Sequence, residues 1–169
     1  MASLTLDYKL LFEHMLNGFA YCKMEYGPDG APVDFTYLAV NPAFGRLTGL
    51  HDVVGKAVTT VIPSIRAEQP DLFTLYGRVA STGRPERTEL FFKPFAMWFD
   101  LSVYSPQRGY FVAVFDNITT RKNAEQAARE RTQELEKFNR LTVGRELKMV
   151  ELKERVRQLE AAVHPHKRP

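Results

Sequence analysis

The first 119 positions carry apolar residues in short runs that alternate between helical and strand spacing, and the next 44 carry them at a single helical period. "LDYKLLFEHMLNG" (6–18) puts Leu6, Leu10, Leu11, Phe12, Met15 and Leu16 at helical spacing, and Gly18 stops that helix. "FAYCKMEY" and "VDFTYLAV" are strand-like, and the turn-forming "GPDGAP" between them makes a β-hairpin. In "NPAFGRLTGL", Asn41 suits an N-cap, Pro42 suits the first helical position, and Gly49 ends a short helix. Gly55 and Pro63 cut "HDVVGKAVTTVIPSIRAEQ" into short pieces. "PDLFTLYGRVASTG" is a longer helix from Pro70 to Gly83, with Leu72, Phe73, Leu75, Tyr76 and Val79 on its apolar side. Three strands close the series: "ERTELFFKPF", "MWFDLSVYSP" and "GYFVAVFD", the last two joined by the tight turn "SPQRG". The order predicts an α+β domain, a five-stranded antiparallel sheet with short helices on one face.

After residue 119 the pattern changes. Steps of 4 and 3 give one series Ala128, Leu135, Thr142, Met149, Val156, Val163 and a second Arg131, Phe138, Arg145, Leu152, Leu159. The pair of series is a coiled-coil seam with weak points at Arg131, Thr142 and Arg145. Gly144 beside the weak region loosens the helix by about 1 kcal/mol relative to Ala. A lone helix this polar is marginal in water, so a second copy of the same helix is the simplest partner. The imperfect centre has two readings. Natural coiled coils tolerate polar seam residues, or the weak centre gives the dimer two close-lying packings between which a signal shifts it.

The chain divides into an amphipathic helix at 1–17, the domain proper at 18–119, a coiled-coil helix at 120–163 and a disordered tail at 164–169. Phe138 is the only aromatic residue after position 119, and no proline interrupts 107–164. The net charge of +3 resolves into −2 before position 120 and +5 after it. Acidic residues are interspersed through the basic half, which fits a solvated helix surface better than a nucleic-acid-binding arm. No apolar run spans a bilayer and no leader sequence is visible, while a single cysteine permits no internal disulfide. A cytoplasmic location with neither membrane nor nucleic-acid partner is the expectation.

Two segments at the right spacing carry a family resemblance. "NPAFGRLTGL" after the second strand is similar to the N-x-A-F-x-x-L-T-G segment of PAS domains. "GYFVAVFDNITTRKNAEQ" resembles that family's ending, a final strand followed by D-I-T-x-R-K-x-A-E. The element order over about 6–126 is also the family's, and the tail resembles linker helices of bacterial sensor histidine kinases. Asn117 stands where the family has the Asp of D-I-T, with Asp116 one position earlier. In the family that Asp ties the end of the sheet to the outgoing helix by a polar contact; Asn117 can accept hydrogen bonds and cap the helix, but it carries no charge for an ion pair. The signal junction is therefore assigned to Asp116, Asn117, Ile118, Thr119 and Arg121.

The resemblance implies a sensory module that passes a ligand- or partner-induced change through a dimeric coiled coil to a kinase or other effector. The alternative is a ligand-free dimerisation scaffold. No phosphate-binding, metal-binding or nucleophile motif occurs, so no enzymatic activity is expected. Haem-binding members use a His on the helix before the third strand, which has none here. Covalent flavin needs a Cys in an N-C-R-F-L-like motif, whereas Cys22 lies on the first strand and reads as a buried, inert thiol. A small apolar ligand or non-covalent flavin stays open. Period-2 and helical spacing nominate as cavity wall Phe19, Tyr21, Phe35, Tyr37, Phe44, Leu47, Val61, Ile62, Phe73, Tyr76, Leu90, Phe92, Phe99, Leu101, Val103, Phe111 and Ala113. The same residues could simply fill a core. Trp98 alternates out of phase with Phe99, Leu101 and Val103, and its face is expected to meet the N-terminal helix or a second protomer.

Overall fold

The computed structural model describes residues 8–163, with side chains followed to residue 160. Leu6, the side chain of Val163 and the tail with His164 and His166 lie outside the described residues. The elements run α1 (Tyr8–His14), β1 (Gly18–Tyr26), β2 (Pro32–Val40), α2 (Pro42–Thr48), α3 (Val58–Val61), α4 (Ile65–Glu68), α5 (Pro70–Thr82), β3 (Glu86–Phe92), β4 (Met97–Tyr104), β5 (Tyr110–Asn117) and α6 (Thr119–Val163). Five antiparallel strands form one sheet in the order β2-β1-β5-β4-β3. This element order is the one the sequence pattern and the PAS resemblance imply. The "KPF" end of the third predicted strand is instead a 3-10 turn, Lys93–Phe95, closed by Ala96 at φ +51°. Pro94 cannot donate to the ladder, so the strand ends before it.

The helices start and stop where their caps dictate. Asn41 opens α2 by accepting the Phe44 N–H at 3.0 Å, and Gly49 closes it at φ +74°. Pro70 opens α5, and Gly83 closes it at φ +73°. Asn41 is only 2% exposed, yet each of its polar atoms is used. Its Oδ1 also accepts the Phe19 N–H, and its Nδ2 donates to the Asn17 carbonyl, both at 3.0 Å. One side chain thus fixes the start of α2 against the start of β1.

Both faces of the sheet carry aromatic residues, and this corrects the phase of β1. Phe19 and Tyr21 were expected to point into the core. The inward residues are Ala20, Cys22 and Met24. Phe19 packs instead edge-on against Phe12 of α1 (ring centroids 5.1 Å), and Tyr21 stacks on Tyr110 at 5.8 Å. Lys23 and Glu25 share the face of Phe19 and Tyr21, and charged residues do not fit the core side. The remaining strands keep their expected phase, with Phe35 and Tyr37, Phe99, Leu101 and Val103, and Phe111 and Ala113 inward. Gly18 must lack a side chain, because a Cβ there would stand 2.5 Å from the ring of Phe115, its partner across β1–β5.

Among the described residues of the N-terminal segment, Phe12 and Met15 are half-buried, while Leu10, Leu11 and Leu16 stay exposed. Along α6 the residues expected to form a seam, Leu135, Phe138, Met149, Leu152, Val156 and Leu159, are all more than half exposed in the single chain. Leu141, Val143, Leu147 and Val150, outside the predicted seam, are exposed as well. Among the described residues no helix is long and apolar enough to cross a membrane. Asn41→Ala removes an N-cap and strands two buried N–H groups. It is expected to cost about 2–3 kcal/mol of folding stability in urea denaturation; a loss below about 0.5 kcal/mol would contradict the bridging role.

Candidate functional site

The inner face of the sheet and the short helices line a partly open apolar pocket of about 70 Å³. Its origin lies in the two central strands, where Ala20 of β1 is paired directly with Ala113 of β5. Two methyl groups at the middle of the sheet leave space that larger side chains on both sides do not fill. Of the nominated wall residues, Phe35, Tyr37, Phe44, Ile62, Tyr76, Leu90, Phe92, Phe99, Leu101, Phe111 and Ala113 border this space. Phe19 and Tyr21 do not, being on the outer face. Phe73 and Val103 are buried in the surrounding core, and Leu47 and Val61 are half-buried against it. On α5 the cavity residues are Leu72 and Tyr76, four apart. Phe73 sits one step round the helix, where its ring meets Phe35.

Sequence reasoning missed Ala20, Cys22, Thr48, Leu50, Ile65, Leu72, Phe95 and Phe115, which also line the cavity. Ala20 and Cys22 follow from the corrected phase of β1. Phe115 continues the alternation of Phe111 and Ala113 and was legible on that ground. Phe95 arrives through the 3-10 turn, which strand periodicity does not describe.

No charged residue borders the cavity. Its polar atoms belong to Cys22, Tyr37, Thr48 and Tyr76. The Thr48 hydroxyl is fully used, donating to the Phe44 carbonyl (2.7 Å) and accepting the Leu50 N–H (3.1 Å). Burial pushes the Cys22 thiol and the Tyr37 and Tyr76 phenols well up, and the neighbouring thiol raises both phenols further. All three therefore remain protonated at neutral pH. A protonated thiol is a poor nucleophile, so Cys22 has no activated character. A flavin does not fit: cofactor-sized pockets run to about 300–1,000 Å³, several times this volume. Cys22 is also the only thiol in the chain. Among the described residues no group of His, Cys, Asp and Glu is arranged to hold a metal ion.

The second constellation is where β5 leads into α6. Compact packing takes in the chain through Lys122, so the first turn of α6 belongs to the domain. Asn117 Oδ1 accepts the Thr119 N–H at 3.0 Å. The Trp98 N–H donates to Thr119 Oγ1, and the Ile118 N–H donates to the Trp98 carbonyl, both at 2.9 Å. Asp116 Oδ1 accepts the Asn117 N–H at 2.9 Å and so shapes the same turn. Asn117 thus acts one residue before the cap position, which Ile118 holds by accepting the first helical bond from Lys122.

Charge at this junction comes from elsewhere. Glu89 on β3 pairs with Arg121 (2.6 Å) and Lys122 (2.5 Å), and the Lys122 ammonium also lies 5.1 Å above the Trp98 ring. Trp98, expected against the N-terminal helix or a second protomer, packs within the single chain on Phe91 and under Lys122 of α6 rather than on α1, and stays half-buried. The reason is its position at the start of β4, beside the exit of β5, whereas α1 covers Phe19 on β1.

No protein-family model matches the chain, and no curated protein does. Solved structures do resemble it. An RNA-binding light-oxygen-voltage receptor aligns at 16% identity and TM-score 0.47, over 79% of this chain and 41% of that one. A domain of an HTR-like protein from Haloarcula marismortui aligns at 18% identity and TM-score 0.46, over 62% and 100%. The PAS domain of a Colwellia psychrerythraea protein aligns at 14% and 0.40, over 66% and 94%. This chain thus spans about two fifths of the receptor.

Glu89 gives the junction a pH signature. Hydrogen bonds first from Lys122 and then from Arg121 hold its carboxyl below the usual range. A depressed folded-state value stabilises above the unfolded pKa, about 4.3, and the benefit is lost as pH falls through the folded value. Glu89→Gln is therefore expected to lower the urea midpoint at pH 7, and by less in 1 M salt. The gap from wild type should close as the pH drops below the ordinary glutamate range. A gap that persists at pH 3 would show that the ion pairs are not its cause.

Proposed function

We propose that this chain is a cytoplasmic PAS sensory module. A small molecule in the inner cavity, or a bound partner, biases the junction at β5. The long helix carries that bias, as one strand of a parallel homodimer, to a kinase or other effector of the two-component type. The module has no catalytic centre of its own in this reading, and neither nucleic acid nor membrane is a partner. The observation that carries it is the apolar pocket. It lies under β4 and β5, the two strands whose ends hold the first turn of α6 through Trp98, Ile118 and Thr119.

The scaffold reading has its own support. The cavity is small, and rings pack densely around it; Phe35 alone meets Tyr37, Phe73, Tyr76 and Phe111 within 6 Å. Native mass spectrometry of the purified chain separates the two. A dimer with extra mass that leaves on denaturation supports the sensor, and a dimer that never takes up mass favours the scaffold.

The dimer rests on the row of exposed apolar residues along α6, whose ends would meet a second copy as the seam. Leu152→Asp with Leu159→Asp is expected to convert the dimer to monomer in size-exclusion chromatography with light scattering. The circular-dichroism signature of the sheet domain should stay unchanged. A double variant that remains dimeric would remove the seam assignment.

A further inference from the structure

The middle of α6 carries a second apolar face that the expected seam does not use. At about 100° per residue, Val143, Leu147 and Val150 form one stripe, about 150° round the helix from Thr142, Arg145, Met149 and Leu152. They are 55%, 66% and 61% exposed. Charged residues bracket the stripe on the same side of the helix, Glu136 and Arg140 before it and Glu154 and Arg157 after it. Among the described residues none of these four has an ion-pair or side-chain hydrogen-bond partner.

We propose that this stripe is a second self-association site, on which α6 of another copy packs antiparallel with Leu147 at the crossing point. The order of the charges selects both the occupant and its direction. Arg140 and Glu154 each stand seven positions from Leu147, so an antiparallel copy sets one opposite the other. Glu136 and Arg157 stand eleven and ten positions away and meet in the same way, as do Val143 and Val150 at four and three. The contact is isologous, so every pair forms twice. A parallel copy in register would instead set each of the four charges against its own like. Exposed ion pairs add little affinity, but like charges brought together exclude the wrong orientation.

The surface beside the stripe suits such a contact. Glu136, Asn139, Arg140 and Val143, at i, i+3, i+4 and i+7, border a shallow depression, the kind of hole into which a facing helix inserts a side chain. The antiparallel register sets the other copy's Glu154 over it, beside Asn139 and Arg140. Three apolar residues per copy make a smaller contact than the seam, so this one forms as concentration rises and joins dimers rather than replacing them. In a parallel seam dimer the two stripes face away from each other, so association continues past a pair of dimers.

Sedimentation velocity of the full chain is expected to show a mean mass that rises with concentration beyond the dimer. Arg140→Glu should abolish the rise, and adding Glu154→Arg should restore it, because the pair is then reversed on both sides. Disulfide trapping reads the direction, with Cys22, the only native thiol, buried out of reach. Chains carrying Val143→Cys should cross-link to chains carrying Val150→Cys, and neither kind to itself. A wild-type mass that does not change with concentration overturns the proposal and leaves the stripe to a helix of another protein. A rise that survives Arg140→Glu overturns it too, as does Val143→Cys cross-linking chiefly to itself. The parallel dimer of the proposed function enters only through the size of the assembly. A wild-type chain that starts as a monomer removes the seam, and the mixed cross-link still decides the stripe.

Discussion

The antiparallel pairing of β1 with β5 brings the first and last strands of the domain together at the centre of the sheet, with Ala20 opposite Ala113 and Cys22 opposite Phe111. Almost every functional feature follows from that register. The Ala–Ala pair leaves the cavity where the sheet would otherwise be thickest with side chains. The Gly18–Phe115 pair lets an aromatic ring lie across the start of β1 and close one end of that cavity. The contacts are far apart in sequence, so the loop-closure cost falls on the same pairing. The interaction that defines the cavity also closes the fold.

A sheet with five strands and few helices must cover two faces with limited material. The inner face has α2 to α5; the outer face is covered in patches. Phe12 lies on Phe19, Tyr21 on Tyr110, and Phe91 and Lys122 on Trp98. The last patch is made by the first turn of α6, so part of the domain's own covering is the beginning of the helix that leaves it. Glu89 strengthens this from an unexpected direction: the sequence motif offers Asn117 at the junction, and the neighbouring β3 supplies the carboxylate. The carboxylate at this junction therefore comes from across the sheet and not from the local motif.

These facts mark where sequence reading succeeded and where it could not. The elements were legible because their boundaries are written in local chemistry: Asn41 and Pro42, Pro70, and the left-handed Gly49 and Gly83. The wall residues on β2, β4 and β5 were legible because alternation there separates large apolar residues from polar or smaller ones. On β1 the large aromatics Phe19 and Tyr21 fall on the outer face and the small Ala20 and Cys22 on the inner. A rule that sends bulk to the core inverts such a strand, and only the charges of Lys23 and Glu25 argue the other way. Glu89 was invisible for a different reason. Nothing near position 89 announces that positions 121 and 122 lie beside it, because register across three strands decides that contact.

The size of the cavity also limits what a sensor of this kind can do. A small ligand has few atoms with which to discriminate between two states, about 1.5 kcal/mol per atom at the best. Moving an equilibrium from 1:99 to 99:1 takes about 5.5 kcal/mol of differential binding. Only the difference in the ligand's binding between the two states counts toward that figure, so under the sensory reading a switching element near balance before the ligand arrives is the one a small ligand shifts most readily. The middle of α6 has the composition for that. Thr142 turns its hydroxyl back onto the Phe138 carbonyl (3.0 Å) instead of offering it to a partner helix. Arg145 would add a charge to the expected seam, and Gly144 weakens the helix between them. Leu141, Val143, Leu147 and Val150 meanwhile present apolar surface on other sides of the same stretch. A segment with a poor seam and competing apolar faces gains little from any single packing. A small input could then decide between packings that a strong, regular seam would hold fixed.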